Sequence, residues 1–295
     1  MKIFQKFFQN LLTNSFFCDI IYTQSKRGER KRNKMNIIVF DTETVGAVSQ
    51  ELLNVGYKIV DLDMATANYT ELCKRDYIVR KHYNNEMLML NDMFVGAEKL
   101  ALYQANVYRG GAILRNIEQI FSTTKNDIAR YAVEFGYAYN CQFDTDKFSK
   151  TADRYGIPNP LDGLPILDIW GFAYHHICIK DDYIAWCKSN SIFTETQRFI
   201  QTSVEGVTAF LTKNPAFKEE HTALSDVGWE LEILCECLRR GCDITKPLAR
   251  GQNIPSGKVF TKRLTINGKT IEVNYTKMSR KWDSAEDINF ILETP

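Results

Sequence analysis

Hydrophobic and polar positions divide the chain into an early group of strands and a later group in which strands alternate with helices. Residues 36–40 form a short β-branched apolar run, which predicts a buried strand. Residues 52–62 and 71–80 predict two more strands, and the short links between the three favour an antiparallel meander. Residues 129–139 and 164–170 predict a fourth and a fifth strand. This order predicts a mixed sheet covered by helices.

Helical spacing accounts for most of the remaining chain before residue 245. The predicted helices cover residues 84–108, 113–121, 144–155, 204–211 and 226–240, and residues 172–200 are mostly helical. Glycines mark several of the expected helix ends, because a left-handed residue commonly closes a helix. Gly110 and Gly111 follow the first helix, Gly156 the third, and Gly241 the last. Together these elements predict an α/β domain over residues 35–245.

Residues 246–295 differ from the preceding domain in sequence pattern and charge, and they predict an extension to it. Residues 258–266 and 269–277 flank the pair Asn267-Gly268, which is the strongest short-range signal for a β-hairpin. Acidic residues then follow a serine at residues 284–287, a pattern typical of the first turn of a helix. The extension is therefore expected to be a basic hairpin followed by a short helix.

The segment 1–34 carries no clear structural pattern. Polar residues interrupt its apolar positions, so a secretory signal peptide is not expected. One interpretation takes Met35 as the true start and the preceding residues as upstream sequence translated in error. The other interpretations are a disordered basic arm and a weak amphipathic helix. No run in the chain reaches the roughly 18 apolar residues of a membrane span, so no membrane partner is expected.

Charge is distributed unevenly along the 295 residues, although the net charge is only +1. Basic residues concentrate in the segments 1–34 and 246–282, whereas residues 35–245 are strongly acidic. An acidic body with a basic extension suits a cation-binding site served by a separate basic surface. The simpler alternative is that these charges are solvated and have no partner.

Eight cysteines occur without the spacing of a disulfide framework or a zinc site. Cys235, Cys237 and Cys242 come closest to a cluster, but on a helix Cys237 points away from Cys235, and no second pair completes a set of zinc ligands. Buried free thiols are the expected state of these residues. Free thiols in turn favour a reducing, cytoplasmic location.

Five acidic or basic residues stand in three separated segments, each beside a predicted strand or helix. Asp41 and Glu43 are two apart at the end of the first strand, so both point to one face of the sheet. Asp144 begins a helix after the fourth strand, and Asp226 begins the last long helix, five residues after His221. Taken singly, these residues are better explained as exposed strand ends, helix caps and a loop histidine.

The combination of these residues predicts a metal centre. Four carboxylates that meet at one point repel one another unless cations lie between them. Oxygen ligands without thiolates select Mg²⁺ or Mn²⁺ over zinc. Two such ions about 3.5–4 Å apart can bind both the attacking and the leaving oxygen of a phosphodiester. A neutral histidine nearby can accept the proton of the attacking water.

The segments FDTET (residues 40–44), YNCQFD (139–144) and HTALSD (221–226) resemble the three motifs of the DEDDh family. These are 3′→5′ exonucleases related to the proofreading subunit of bacterial DNA polymerase III. The resemblance covers residues 36–240 and implies a ribonuclease H-like fold with a five-stranded mixed sheet. A sister class has a tyrosine where this chain has Thr222, so the histidine class is favoured.

The resemblance also assigns roles to individual residues. It implies that Asp41, Glu43, Asp144 and Asp226 hold two Mg²⁺ ions, for which Mn²⁺ can substitute, and that His221 is the general base.

Substrate contacts are expected beside these residues. Thr42 and Thr44 are expected beside the terminal nucleotide, and Asn140 and Phe143 are candidate contacts. The family often has His-Asn where this chain has Tyr139-Asn140, which leaves the contact at that position open.

The predicted function is a metal-dependent 3′→5′ exonuclease acting on single-stranded DNA or RNA ends, with DNA placed slightly ahead. One alternative is a catalytically inactive exonuclease-like module that binds a DNA polymerase or nucleic acid. Another is an endonuclease of the same fold class, although such sites typically use carboxylates alone. The C-terminal hairpin is either a basic ribbon that guides a nucleic-acid strand or an edge protected by lysines.

Overall fold

The computed structural model of the chain describes residues 34–46, 51–91, 95–258, 260–266 and 269–275. Within these ranges the backbone forms a six-stranded mixed sheet, a separate two-stranded hairpin, and helices that cover both faces of the larger sheet. The predicted short helix at 284–287 and all of the N-terminal segment except Lys34 lie outside the described residues.

The large sheet begins with three long antiparallel strands and adds three short parallel ones. Its strands are β1 (Lys34–Val45), β2 (Glu51–Asp63), β3 (Tyr69–Val79), β4 (Ile113–Arg115), β5 (Phe135–Ala138) and β6 (Ile166–Asp168). Their order across the sheet is β4-β3-β2-β1-β5-β6. β1, β2 and β3 pair antiparallel, whereas β4 pairs parallel with β3, β5 with β1, and β6 with β5. The predicted meander and mixed sheet are confirmed.

The expected count of five strands is wrong, because β4 adds a sixth at one edge. Residues 113–115 were assigned to the start of a helix over 113–121. Ile113 instead pairs with Tyr77 on β3, and the helix begins only at Ile117. Asn116 and Gln119 form a capping box that fixes this start. The sheet is compatible with a ribonuclease H-like fold, and that assignment stays a prediction.

Nine α-helices lie within the described residues. They are α1 (Arg80–Tyr83), α2 (Glu86–Asn91), α3 (Gly96–Tyr108), α4 (Ile117–Arg130), α5 (Cys141–Tyr155), α6 (Ile169–Ala173), α7 (Asp181–Asn190), α8 (Val204–Leu211) and α9 (Ala223–Arg239). A π-helical turn, Tyr174–Cys178, follows α6. The single helix predicted for 84–108 is therefore divided between α2 and α3, and α1 precedes that range. The predicted fifth strand ends early because the Asp168 side chain accepts a hydrogen bond from the backbone of Trp170 and starts α6.

Side chains of β1 alternate between two hydrophobic cores, one on each face of the sheet. Met35, Ile37 and Val39 pack with α6 and α9 on one face. Ile38 and Phe40 pack with α4 and α5 on the other. Because β1 is central and buried on both faces, the alternation of its side chains determines which helix each residue near the end of the strand faces.

A third core lies at the end of the sheet where β1 finishes. Val45 and Leu53 from the strands pack with Met89 on α2 and with Leu100 and Tyr103 on α3. This packing holds α3 next to the strand end that carries the first motif.

The C-terminal segment 246–258 packs against the rest of the domain. The Tyr174 hydroxyl donates to the carbonyl of Gln252 (2.8 Å), and the Ile200 backbone N–H donates to the carbonyl of Ile254 (2.9 Å). The segment therefore crosses the helical region that precedes the last motif.

The predicted hairpin is confirmed as β7 (Phe260–Ile266) paired antiparallel with β8 (Lys269–Tyr275). Cys235, Cys237 and Cys242 are buried free thiols, as predicted. No helix within the described ranges is long and apolar enough to span a membrane.

Candidate active site

The first motif lies where β1 emerges from the core. Successive side chains of the strand point to opposite faces of the sheet, so neighbouring residues of the motif face different helices. Asp41 and Glu43 continue the face that packs against α9, and Thr42 between them continues the face that packs against α5. Asp41 has Gly56 as its partner across β2, and Glu43 has Asn54. The strand therefore directs its two carboxylates towards the helix that carries the third motif.

The second motif is tied to the first by Thr42. Asp144, in the first turn of α5, is buried, and its Oδ1 accepts hydrogen bonds from the Thr42 backbone N–H (2.9 Å) and the Thr42 hydroxyl (2.6 Å). Burial raises the pKa of the Asp144 carboxyl to about 7, and the two bonds from Thr42 act in the opposite direction. Thr42 thus positions a carboxylate, although a contact with substrate was predicted for it.

The start of α9 is fixed by a buried asparagine on β2. The Asn54 Oδ1 accepts from the backbone N–H of Ala223 (2.9 Å), and the Asn54 amide donates to Asp76 Oδ1 (2.6 Å) and to the Tyr77 carbonyl (3.0 Å). Asn54 on β2 is also the cross-strand partner of Glu43 on β1. The Asn54 side chain therefore sets the distance between the first and third motifs.

Helix α9, which begins within the third motif, contributes two buried carboxylates from one face. The Asp226 Oδ1 is buried and has no hydrogen-bond partner among the described residues. Burial, together with the negative charges of Glu219 and Glu43, raises the pKa of Asp226 to about 8. Glu230, one turn along the helix, is buried, and its Oε2 accepts from the Tyr139 backbone N–H (3.2 Å).

Asp41 lies at the centre of this negative charge. Burial is the main reason why its pKa lies well above the usual range. Four neighbouring carboxylates also raise the pKa, with the largest effect from Asp144 and smaller effects from Glu230, Glu43 and Asp226. Each of the three motifs thus contributes a carboxylate to one electrostatically connected group. Buried carboxylates that repel one another in this way favour either protons or a cation between them.

His221 lies at the exposed edge of the group, immediately before α9. Its backbone φ of +52° is in the left-handed region, which is uncommon for a residue other than glycine. Ligand atoms of Glu43, His221 and Asp226 lie within 4.8 Å of one another, as do those of Glu205, Glu219 and His221. The His221 Nδ1 is 4.0 Å from Glu219 Oε2. The imidazole therefore faces both the carboxylate group and solvent.

Four residues of this region were not predicted from the sequence. Lys99 and Tyr103 come from α3, and the Lys99 ammonium lies 2.9 Å from Glu43 Oε2. The Tyr103 hydroxyl is buried without a hydrogen-bond partner among the described residues. Glu230 could have been found, because it follows Asp226 by four residues on an otherwise apolar helix face. For Glu219, the only signal in the sequence is its position two residues before His221.

The other predicted substrate residues have different environments. Thr44 is buried, and the Asn140 Oδ1 accepts from Arg250 Nη2 (2.9 Å), whose guanidinium also lies 4.3 Å from the Trp170 ring centre. Phe143 keeps an exposed ring (37 %) on the first turn of α5. Among these residues, the exposure of Phe143 best suits contact with a base.

Comparisons with known proteins add no family assignment: the chain matches no protein-family model and no curated protein. The resemblance to the DEDDh exonucleases therefore depends on the three motifs.

Proposed function

We propose that the chain is a metal-dependent 3′→5′ exonuclease acting on single-stranded nucleic acid, with DNA slightly ahead of RNA. The observation that carries this proposal is the single group formed by Asp41, Glu43, Asp144 and Asp226, in which Asp226 Oδ1 is buried without a hydrogen bond. A buried, unpaired carboxylate oxygen costs free energy unless a ligand satisfies it, and a cation would do so.

The donor set suits a hard divalent cation. Oxygen atoms of Asp41, Glu43, Asp144 and Asp226 would hold Mg²⁺ or Mn²⁺, since no thiolate is among them. The motif resemblance leads to an expectation of two ions. When bound, such cations lower the pKa of a coordinated water and stabilise negative charge on a phosphate.

The protein side chains then have separable tasks. His221, exposed beside Glu43 and Asp226, accepts the proton of the attacking water as a neutral imidazole and can release it to solvent. Glu219 Oε2 lies 4.0 Å from Nδ1, where a negative charge would stabilise the imidazolium that forms. Thr42 keeps one oxygen of Asp144 in place, so that this carboxylate stays aligned with Asp41.

A single-stranded end suits the surface beside the group. Phe143 presents an exposed ring on which a terminal base can stack, and the Lys147 ammonium lies 4.6 Å from the centre of that ring. Stacking does not depend on base identity, so we expect little sequence preference. A basic C-terminal hairpin would add contacts to phosphates farther along the strand.

A second candidate is a catalytically inactive exonuclease-like module that binds nucleic acid or a DNA polymerase. The ion pair between Lys99 and Glu43 favours it, because an ammonium already neutralises one of the predicted cation ligands. The presence of all five motif residues favours the enzyme.

The experiment that separates the two candidates uses 5′-labelled single-stranded DNA and RNA of one sequence. The full chain is incubated with Mg²⁺, Mn²⁺ or EDTA beside Asp41→Ala and His221→Ala. Asp146→Ala is the matched control, since Asp146 is an exposed carboxylate on α5 that contacts Lys150 and Gln142. We expect metal-dependent shortening by the wild type and the control only. No cleavage by the folded wild type with either metal would favour the binding module.

A further inference from the structure

Helix α3 brings a positive charge to the carboxylate group from outside the three motifs. Leu100 and Tyr103 fix the helix in the core at the end of the sheet, and this packing directs the neighbouring Lys99 at Glu43. The Lys99 Nζ lies 2.9 Å from Glu43 Oε2, and only 11 % of the lysine side chain is exposed. Lysines are rarely this buried unless they are paired.

The charge of Lys99 acts on carboxylates of two motifs. Its ammonium contacts Glu43, and Glu43 and Asp226 bring ligand atoms within 4.8 Å of each other, so the charge of the lysine lies beside both carboxylates. Tyr103 lies one turn farther along α3, and its hydroxyl is buried without a hydrogen-bond partner among the described residues. One face of α3 therefore borders the same space as the first and third motifs.

The candidate ligand atoms converge on His221 at the edge of the carboxylate group. Glu43, His221 and Asp226 bring ligand atoms within 4.8 Å of one another. The other such set among the described residues, Glu205, Glu219 and His221, shares the same imidazole, and neither set includes Asp41 or Asp144. The Asp144 Oδ1 is already satisfied by its two hydrogen bonds from Thr42. Within the carboxylate group, Glu43 and Asp226 therefore offer one position for a divalent cation, beside the imidazole that acts as the base.

We propose that the Lys99 ammonium takes the place of the second divalent cation, so that the site binds one divalent cation together with the charge of the lysine. The proposal rests on the proposed function in one respect, namely that the carboxylate group binds cations. An ammonium in contact with Glu43 repels a second dication at the few-ångström spacing of a two-metal site. A lysine can supply this charge without a coordination shell of its own.

The number of Mn²⁺ ions bound per chain tests the proposal. Free Mn²⁺ is measured by electron paramagnetic resonance while the full chain is titrated to saturation. We expect one ion in the wild type, one in Lys99→Arg, and two in Lys99→Met, which leaves the second position open. Lys150→Met is the matched control, because it removes an exposed lysine paired with Asp146, and we expect one ion there.

Two ions in the wild type would overturn the proposal, and so would one ion in a folded Lys99→Met variant. Circular dichroism establishes whether that variant is folded, and the wild-type count remains decisive if it is not. A wild type that binds no Mn²⁺ would overturn both this inference and the metal-dependent exonuclease. One bound ion without cleavage of DNA or RNA would support the inference and contradict the proposed function.

Discussion

Gly56 on β2 lies directly against the backbone of Leu224 in the first turn of α9, in a space that admits no side chain. Gly56 is also the cross-strand partner of Asp41, and Leu224 precedes Asp226 by two residues. The missing side chain thus lets the first and third motifs approach each other.

Replacing Gly56 with alanine is expected to displace the start of α9. The added methyl group overlaps backbone, which cannot rotate away, and overpacking of this kind costs about 1–3 kcal/mol. We therefore expect a lower free energy of unfolding in urea and a loss of nuclease activity larger than the loss of stability explains. The displacement should weaken Mn²⁺ binding as well.

Gly228→Ala is the matched control in the same helix. The nearest atom to its added methyl group is Lys58 Nζ at 3.8 Å, so the site has room. Alanine in a helix interior is more stable than glycine by about 0.5–1 kcal/mol. Wild-type stability and activity in Gly56→Ala would contradict the close approach seen here.

The stability of the metal-free protein is expected to depend on pH. Burial raises the pKa of Asp144 to about 7 and that of Asp226 to about 8, whereas both carboxyls titrate near pH 4 in the unfolded chain. Between these values the folded protein holds protons that the unfolded chain has released, so the free energy of unfolding falls as pH rises. Urea denaturation in EDTA should show higher stability at about pH 5.5 than at about pH 8.

Cations should reverse this loss, and Asp226→Asn should reduce it. Mg²⁺ or Mn²⁺ binds the charged carboxylates, so the increase in Tm on adding metal is expected to be larger at the higher pH. Asp226→Asn removes one buried charge, and its metal-free form should be more stable than the wild type at about pH 8 while lacking nuclease activity. A Tm unaffected by either metal would argue against a cation site.

His221→Asn separates catalysis from folding. Asparagine tolerates the left-handed backbone of this position, and the histidine side chain is 60 % exposed, so we expect little change in Tm. Loss of a general base lowers kcat by about 10²–10⁴-fold. Single-turnover cleavage measures this fall, with His176→Asn as a control away from the carboxylates. An unchanged kcat in His221→Asn would mean that another group accepts the proton of the attacking water.

The contacts of segment 246–258 determine where the basic extension can be removed. A chain that ends at Lys258 keeps the backbone contacts of Gln252 and Ile254, whereas one that ends at residue 245 loses them. If the hairpin binds phosphates, the longer truncation product should show a higher KM, a flatter dependence of KM on salt, and an unchanged kcat. The shorter product should also be less stable. A KM equal to that of the full chain at several salt concentrations would show that the hairpin takes no part in substrate binding.

Much of the fold followed from short-range patterns. The β-branched run before Asp41 predicted the central strand, and the helix after Asp226 was predicted to within three residues at its start. β4 was missed because three residues carry no periodic signal, and its pairing with β3 is decided by tertiary structure.

The neighbours of the candidate site were less predictable. Lys99 is separated from Glu43 by more than fifty residues, and its segment showed only the spacing of a core helix. Its contact depends on how α3 packs against the end of the sheet. The bond from Arg250 to Asn140 likewise depends on the path of the C-terminal segment, which no local pattern records.

The central claim is that this carboxylate group removes nucleotides from the 3′ end of a single strand. The most direct measurement compares one DNA strand, internally labelled, with a nuclease-resistant phosphorothioate cap at the 3′ end, at the 5′ end or at neither, in the presence of Mg²⁺. We predict release of mononucleotides from the uncapped and 5′-capped strands and protection of the 3′-capped strand. Cleavage that ignores the 3′ cap would contradict the claim and indicate an endonuclease.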